Sequence, residues 1–212
     1  MIGHPNLKGL WPLSDGNDLS GCTQHLIQTN ASNISAVIGQ GVLGNAGGTT
    51  KNVFTGAPAL LYSDNFTIAF WFRPTSISST ATYQCIFTIS SVIDIFWSHA
   101  ETYREAVTLY NGSTWTGYKW NTAIPLNTWT HFAITYDHSR LKIYINGVLM
   151  HDYACALTLA NTFSSIAWCG NSTGSQGPRS HAVNMGCIFK SAFSAAEIQR
   201  LYSINKAPLF RS

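Results

Sequence analysis

Trp129-Thr130-His131-Phe132-Ala133-Ile134-Thr135-Tyr136 turns through Asp137-His138-Ser139-Arg140, returns as Leu141-Lys142-Ile143-Tyr144-Ile145, and turns again at Asn146-Gly147 into Val148-Leu149-Met150. β-Branched and aromatic residues crowd these arms, as a pleated and largely buried surface requires. Side chains alternate along a strand, so Leu141, Ile143 and Ile145 share one face while Lys142, Tyr144 and Asn146 share the other. Asn-Gly tolerates the positive φ values of a two-residue I′ hairpin. The block reads as successive antiparallel strands, and it decides the fold class.

Working outward, the same signals recur. Asn65 to Phe72 is another β-branched and aromatic run, closed by Arg73-Pro74. Tyr83 to Ile89 and Val92 to Trp97 are separated by Ser90-Ser91, and Ala106 to Tyr110 leads into the hairpin signal Asn111-Gly112, followed by Ser113 to Trp120. Further strands are expected at Ser165 to Cys169 and Ala182 to Phe189. One helix is convincing: Ser194-Ala195-Ala196-Glu197 is a capping box, and Ile198, Leu201 and Tyr202 give it one apolar stripe. Residues 75–82 and 170–180 read as Ser-, Thr- and Gly-rich loops. Many short strands with one helix imply an all-β, two-sheet antiparallel jelly-roll sandwich, expected as one domain over residues 1–212 with its core at about 7–203.

Charged residues are only 10% of the chain, against a usual ~25%. Asn, Ser, Thr and Gly must then wet the surface, which suits packing against neutral ligands or other proteins. The net charge of +3 is spread without a basic run, so nucleic acid is not an expected partner. No apolar run approaches the ~20 residues of a membrane span, and the first residues carry no export signal. Cys22, Cys85, Cys155, Cys169 and Cys187 form no C-x-x-C pair, and are expected to be free thiols, mostly buried. The Asn-x-Ser/Thr sequons at Asn30, Asn33, Asn65, Asn111 and Asn171 are what chance gives in so Asn-, Ser- and Thr-rich a chain.

Four motifs in order carry a resemblance: Asp18-Leu19-Ser20-Gly21, Phe66 to Pro74, the Trp129 to Gly147 block, and Phe193 to Tyr202. Together they resemble the concanavalin A-like lectin/glucanase superfamily in its laminin G-like, pentraxin-like branch. The resemblance implies the same sandwich, and it places Trp71, Trp129 and Trp168 in the core. It also implies calcium as the cofactor to test, with Asp15, Asp18 and Asn184 as first ligands. From the residues alone no cofactor is expected. One departure stands out: Asn184 lies where the branch usually has an Asp, and Met185 replaces an acid.

Glycoside hydrolysis, known in part of the superfamily, needs a close pair of carboxyl groups. The glucanase E-x-D-x-x-E strand is missing, and Glu101 and Glu105 on one strand would stand ~13 Å apart. His131 reads as a structural sheet residue, and no nucleophile motif occurs. A non-catalytic recognition module is therefore expected. Its sharpest candidate site is the aromatic and polar stretch from Phe96 to Asn121, in which Trp97, Tyr110, Asn111, Trp115, Tyr118 and Trp120 are the candidate glycan-binding residues. Aromatic faces stack on sugar C–H groups, and amides and hydroxyls orient sugar hydroxyls. Trp115 is expected to face away from Tyr118 and Trp120, and those two from each other, so not all three are core. The rival expectation is an assembly protein. The lack of an export signal and the low charge suggest a bacteriophage capsid decoration or fibre protein, built in the host cytoplasm and displayed on the virion. Its partners would be surface glycans or neighbouring capsid proteins, a homo-oligomer included. An extracellular domain trimmed from a longer chain is the alternative setting, and a purely cementing role the alternative function.

Overall fold

A computed structural model describes residues 3–28, 31–44, 54–56, 65–75, 84–97, 106–120, 122–160, 165–170 and 181–206. In chain order the strands are β1 (Leu7–Trp11), β2 (Ile27–Gln28), β3 (Ala31–Ser35), β4 (Gln40–Gly44), β5 (Phe54–Gly56), β6 (Phe66–Pro74), β7 (Gln84–Ile89) and β8 (Ile93–Trp97). There follow β9 (Ala106–Tyr110), β10 (Trp115–Lys119), β11 (Thr130–Tyr136), β12 (Arg140–Ile145), β13 (Val148–Ala154), β14 (Ile166–Trp168), β15 (His181–Phe189) and the helix α1 (Ala195–Lys206).

Two antiparallel sheets form the expected jelly-roll sandwich. The first runs β13-β12-β11-β6-β15-β4-β3 with β1 also on β15, and the second runs β10-β9-β8-β7-β14-β5-β2. The deciding block folds as read. β11 pairs β12 from Phe132↔Ile145 to Tyr136↔Leu141, and Ile145↔Val148 closes a two-residue turn onto β13. Asn146 and Gly147 take φ 50° and 80° there, the left-handed pair that a I′ turn requires.

Strand alternation builds two cores. Phe66, Ile68, Phe70 and Phe72 of β6, Phe132 and Ile134 of β11, and Leu141, Ile143 and Ile145 of β12 point between the sheets. They meet Ile86, Phe87, Ile93, Ile95, Val107, Leu109 and Trp168 of the second sheet. The intervening Ala69, Trp71, Ala133 and Tyr144 face outward and are covered by Ile198 and Leu201 of α1. That second burial explains why β6 reads as a continuous apolar run rather than an alternating one. Trp71 and Trp168 are core as expected, whereas Trp129 is only half-buried against the second cluster. Ser194 caps α1 as read: its backbone N–H and hydroxyl both reach Glu197 Oε2 at 2.7 Å, and Glu197 N–H returns to Ser194 Oγ at 3.4 Å. All five cysteines are free thiols, four of them buried and Cys22 half-buried. Among the described residues no helix is long and apolar enough to cross a membrane.

Candidate functional site

The aromatic stretch divides in two. β9 and β10 pair from Tyr110↔Trp115 to Ala106↔Lys119, and residues 111–114 form the loop, closed by Asn111 N–H on Thr114 C=O at 3.3 Å. Val107 and Leu109 point into the core, so Tyr110, Trp115, Thr108 and Gly117 lie on the outer face. The Tyr110 and Trp115 rings meet at 5.0 Å with a 33° tilt, and Trp115 remains 44% exposed. An aromatic step therefore stands at the tip of an edge hairpin. Asn111 Oδ1 accepts the N–H groups of Ser113 and Thr114 at 2.9 and 2.8 Å. Among the described residues its exposed amide nitrogen has no hydrogen-bond partner, which leaves two donors on the residue next to Tyr110. Tyr110 O–H donates to Gly112 C=O at 2.9 Å, which fixes that ring.

Trp97 and Trp120 must be removed from the candidate site. They are 4% and 0% exposed, and Trp97 packs on Phe72 at 5.4 Å while Trp120 packs on Phe132 at 4.6 Å. Neither offers a face to a ligand. Tyr118 and Trp120 do not oppose each other either: residues two apart share a strand face, and both side chains pack against the inter-sheet core. Tyr118 is half-buried, its hydroxyl donates to Cys155 Sγ at 2.9 Å, and burial next to that thiol pushes the phenol up. It lines the sandwich edge below the hairpin rather than the aromatic step. Glu101, Tyr103, Glu105 and Asn121 lie outside the described residues.

The calcium ligand set does not fit. Both Asp18 oxygens are engaged: Oδ1 accepts the N–H groups of Leu10 and Ser20 at 2.9 and 2.8 Å, and Oδ2 accepts the Ser20 hydroxyl and Gln24 N–H at 2.8 and 2.9 Å. Asp18 is thus the organiser of the loop after β1. Asp15 is occupied by Asn17, whose backbone and side-chain N–H groups reach it at 3.0 and 2.8 Å. Asn184 is fully buried, at an irregularity between Asn184 and Cys187 where β15 shifts register on β6. Its Nδ2 donates to the carbonyls of Pro12, Ile38 and Gln40 at 3.0, 3.2 and 3.0 Å, and its Oδ1 accepts Ile38 N–H at 3.3 Å. A neutral amide already sits where a cation would collect those carbonyl oxygens. Among the described residues no group of three or more His, Cys, Asp or Glu side chains could hold a metal ion.

A family model described as the concanavalin A-like lectin/glucanases superfamily matches residues 47–199. The chain belongs to this superfamily. No curated protein matches its sequence. Similar solved structures include the binding domain of Paraclostridial mosquitocidal protein 1, at 16% identity over 93% of this chain and 52% of that one, with a TM-score of 0.72. Domain 4 of an extracellular arabinanase from Geobacillus stearothermophilus, in complex with arabinotriose, has 16% identity over 93% of this chain and 98% of that domain, with a TM-score of 0.72. Botulinum neurotoxin type C, whose cell entry depends on interaction with two ganglioside molecules, has 15% identity over 94% of this chain and 51% of that one, with a TM-score of 0.74. This chain spans about half the length of the toxin binding domains it matches. At such identities the likeness is one of fold.

In this concanavalin A-like sandwich the register also assembles residues that were not singled out from the sequence. Gly117 pairs Thr108, Thr108 pairs Asp94, Asp94 pairs Thr88 and Thr88 pairs Ala167. Cross-strand partners share a face, so these small and polar residues form one row across the outer face of the second sheet, starting beside the Tyr110–Trp115 step. Burial pushes the Asp94 carboxyl up to about 6, against the lowering pull of its hydrogen bond with Thr88. The available signal was an acid inside the otherwise apolar run Ile93-Asp94-Ile95-Phe96. Inward-pointing Ile93 and Ile95 turn such a residue to the outside.

Proposed function

We propose that this chain is a non-catalytic, glycan-binding module whose platform is the Tyr110–Trp115 step with the amide of Asn111. The observation that carries this reading is the exposed Trp115 face, held in place by a directly paired tyrosine at the rim of an otherwise well-buried sandwich. The superfamily and a fold shared with an arabinotriose-bound domain and with a ganglioside-dependent toxin support it. Trp115→Ala is expected to weaken polysaccharide binding by the ~1–3 kcal/mol of a lost aromatic stack, by analogy with stacked bases. Trp120→Phe, inside the core, should leave affinity unchanged in the folded protein. Isothermal titration with glycans selected on a broad array measures both. Full affinity without the Trp115 ring, or an array on which nothing binds, would refute the hairpin platform.

A second reading, packing against a neighbouring chain in an assembly such as a virion surface, is favoured by β13, which ends the first sheet with no strand beyond it among the described residues. Val148, Leu149 and Met150 begin the terminal strand β13 and are 58%, 43% and 40% exposed. Consecutive exposed apolar residues on an unpaired edge invite pairing unless something covers them. The expected result is an oligomer, or a chain recovered within purified particles, that buries about 800 Å² or more per subunit. A strictly monomeric chain absent from any particle removes this role.

A further inference from the structure

On the outer face of the first sheet, Trp71 of β6 pairs with His131 of β11, and their rings meet at 5.3 Å. Tyr202 of α1 closes over both at 5.7 Å. Arg73 lies two residues further along β6 on the same face, its guanidinium carbon 5.3 Å from the ring centre of Trp129. Here buried polar atoms without partners gather: Trp71 Nε1, Arg73 Nε and both ring nitrogens of His131. The indole nitrogens of Trp97, Trp120 and Trp168 are also unpaired, but those rings belong to the inter-sheet core. A buried donor without an acceptor costs about 1–3 kcal/mol, so a group of them beside a half-exposed cation calls for a reason.

The balance of donors and acceptors points one way. Burial pulls the His131 imidazole down to about 3, so it is neutral, with one N–H and one lone pair. Trp71 and Arg73 each add a buried N–H, which leaves donors in excess. Arg73 also brings a full charge, and among the described residues it has no ion pair, the one there being Arg140 with Asp152 at 2.7 Å. Stacking on Trp129 holds the guanidinium plane and spares the ordering that a free arginine would need. Arg73 and Trp129 are both half-buried, and so within reach of solvent.

We infer that Arg73, stacked on Trp129 beside Trp71 and His131, is a carboxylate-binding site that takes an acidic sugar, a uronic or sialic type of residue. A single guanidinium matches a single carboxylate, and the adjacent indole supplies an apolar surface for the sugar ring. Across β15 the neighbours of Arg73 and Trp71 are Ala182 and Asn184. The site therefore presents one positive charge, whereas an acidic peptide would call for several. It lies on the other sheet from the Tyr110–Trp115 hairpin and does not rest on that reading.

The test is an NMR titration of the full chain, following the tryptophan indole N–H signals, with Trp71 and Trp129 assigned through Trp71→Phe and Trp129→Phe. Sodium glucuronate is expected to move both signals saturably, and glucose to leave them in place. Arg73→Gln should weaken the response about tenfold or more, as expected for a lost charge-assisted hydrogen bond. Arg73→Lys, which keeps the charge but not the fork, should weaken it as well, and it serves if the glutamine variant does not fold. Trp115→Ala should leave the response intact, which separates this site from the hairpin. A response that is absent, or that persists unchanged in the folded Arg73 variants, overturns the proposal. A stronger response to tetraglutamate than to glucuronate overturns the sugar assignment in favour of an acidic peptide.

Discussion

Trp168→Ala is expected to cost about 3–5 kcal/mol of folding stability, the range for removing a large aromatic from a closed core. Trp168 is fully buried in β14, where the two sheets meet, with ring-centre distances of 4.3 Å to Phe87, 5.4 Å to Phe70 and 6.2 Å to Trp11. Those three partners come from both sheets and from the N-terminal strand, so the ring ties together elements far apart in the chain. Its fit is close enough to dictate a neighbour: a Cβ at Gly186 would fall 2.5 Å from Trp168 Cζ2. Gly186 sits where β15 shifts its register on β6. The backbone is thereby held against the indole edge and has little freedom to collapse into the space left by truncation. Since a domain has only about 5–15 kcal/mol in total, this one change should consume much of the margin. Urea unfolding should show the midpoint falling with the slope unchanged. A loss below about 1 kcal/mol would mean that the sheets close over the gap.

What could be read in the sequence followed local periodicity. Leu141, Ile143 and Ile145 announce their shared face because their neighbours are polar, and Asn146-Gly147 names its own turn. Ser194 and Glu197 likewise mark a helix start with their own side chains. The strands before residue 65 were missed because they are short, because Asn, Ser and Gly dilute the pattern of β3 and β4, and because their places in the sheets are fixed by distant partners: β1 runs along β15, and the β3-β4 hairpin joins β15 through Ala182↔Leu43 and Val183↔Val42. The hairpin site was legible in part. The Asn111-Gly112 signal located its tip but not its register: a two-residue turn there would pair Tyr110 with Ser113, whereas the four-residue loop 111–114 pairs Tyr110 with Trp115. Alternation along β8 puts Trp97 on the inward face of Ile93 and Ile95, but nothing local shows that Trp120 turns inward, since an aromatic ring serves a core and a sugar platform equally well. Asp94 and Arg73 were passed over for the converse reason. Each stands in an apolar strand whose two faces differ only after the sheets have packed.

Asn184→Asp is expected to destabilise the protein by about 3–5 kcal/mol at neutral pH, the cost of an uncompensated buried charge, and to make its stability depend on calcium. The amide nitrogen now donates to the carbonyls of Pro12, Ile38 and Gln40. A carboxylate in its place would face three carbonyl oxygens with no proton to offer and would lose the one side chain that serves all three, while Met185 N–H of β15 still reaches Pro12 C=O at 3.3 Å. Burial and these oxygens must raise the new carboxyl's folded pKa above its unfolded value. The sign follows: the native state binds the proton more tightly, so the variant regains stability as pH falls through the folded pKa and loses it as pH rises through the same range. A divalent cation offers a second remedy, because a carboxylate with three convergent carbonyls is the oxygen set that calcium prefers. Calcium that binds the folded form alone then stabilises it by mass action. Thermal unfolding of Asn184→Asp with calcium and with chelator, at neutral and acidic pH, measures all three effects. The parent protein should show no calcium shift under the same conditions, because the Asn184 amide already satisfies those carbonyls. A parent that is stabilised by calcium, or a variant as stable as the parent in chelator at neutral pH, would contradict the structural role assigned to Asn184.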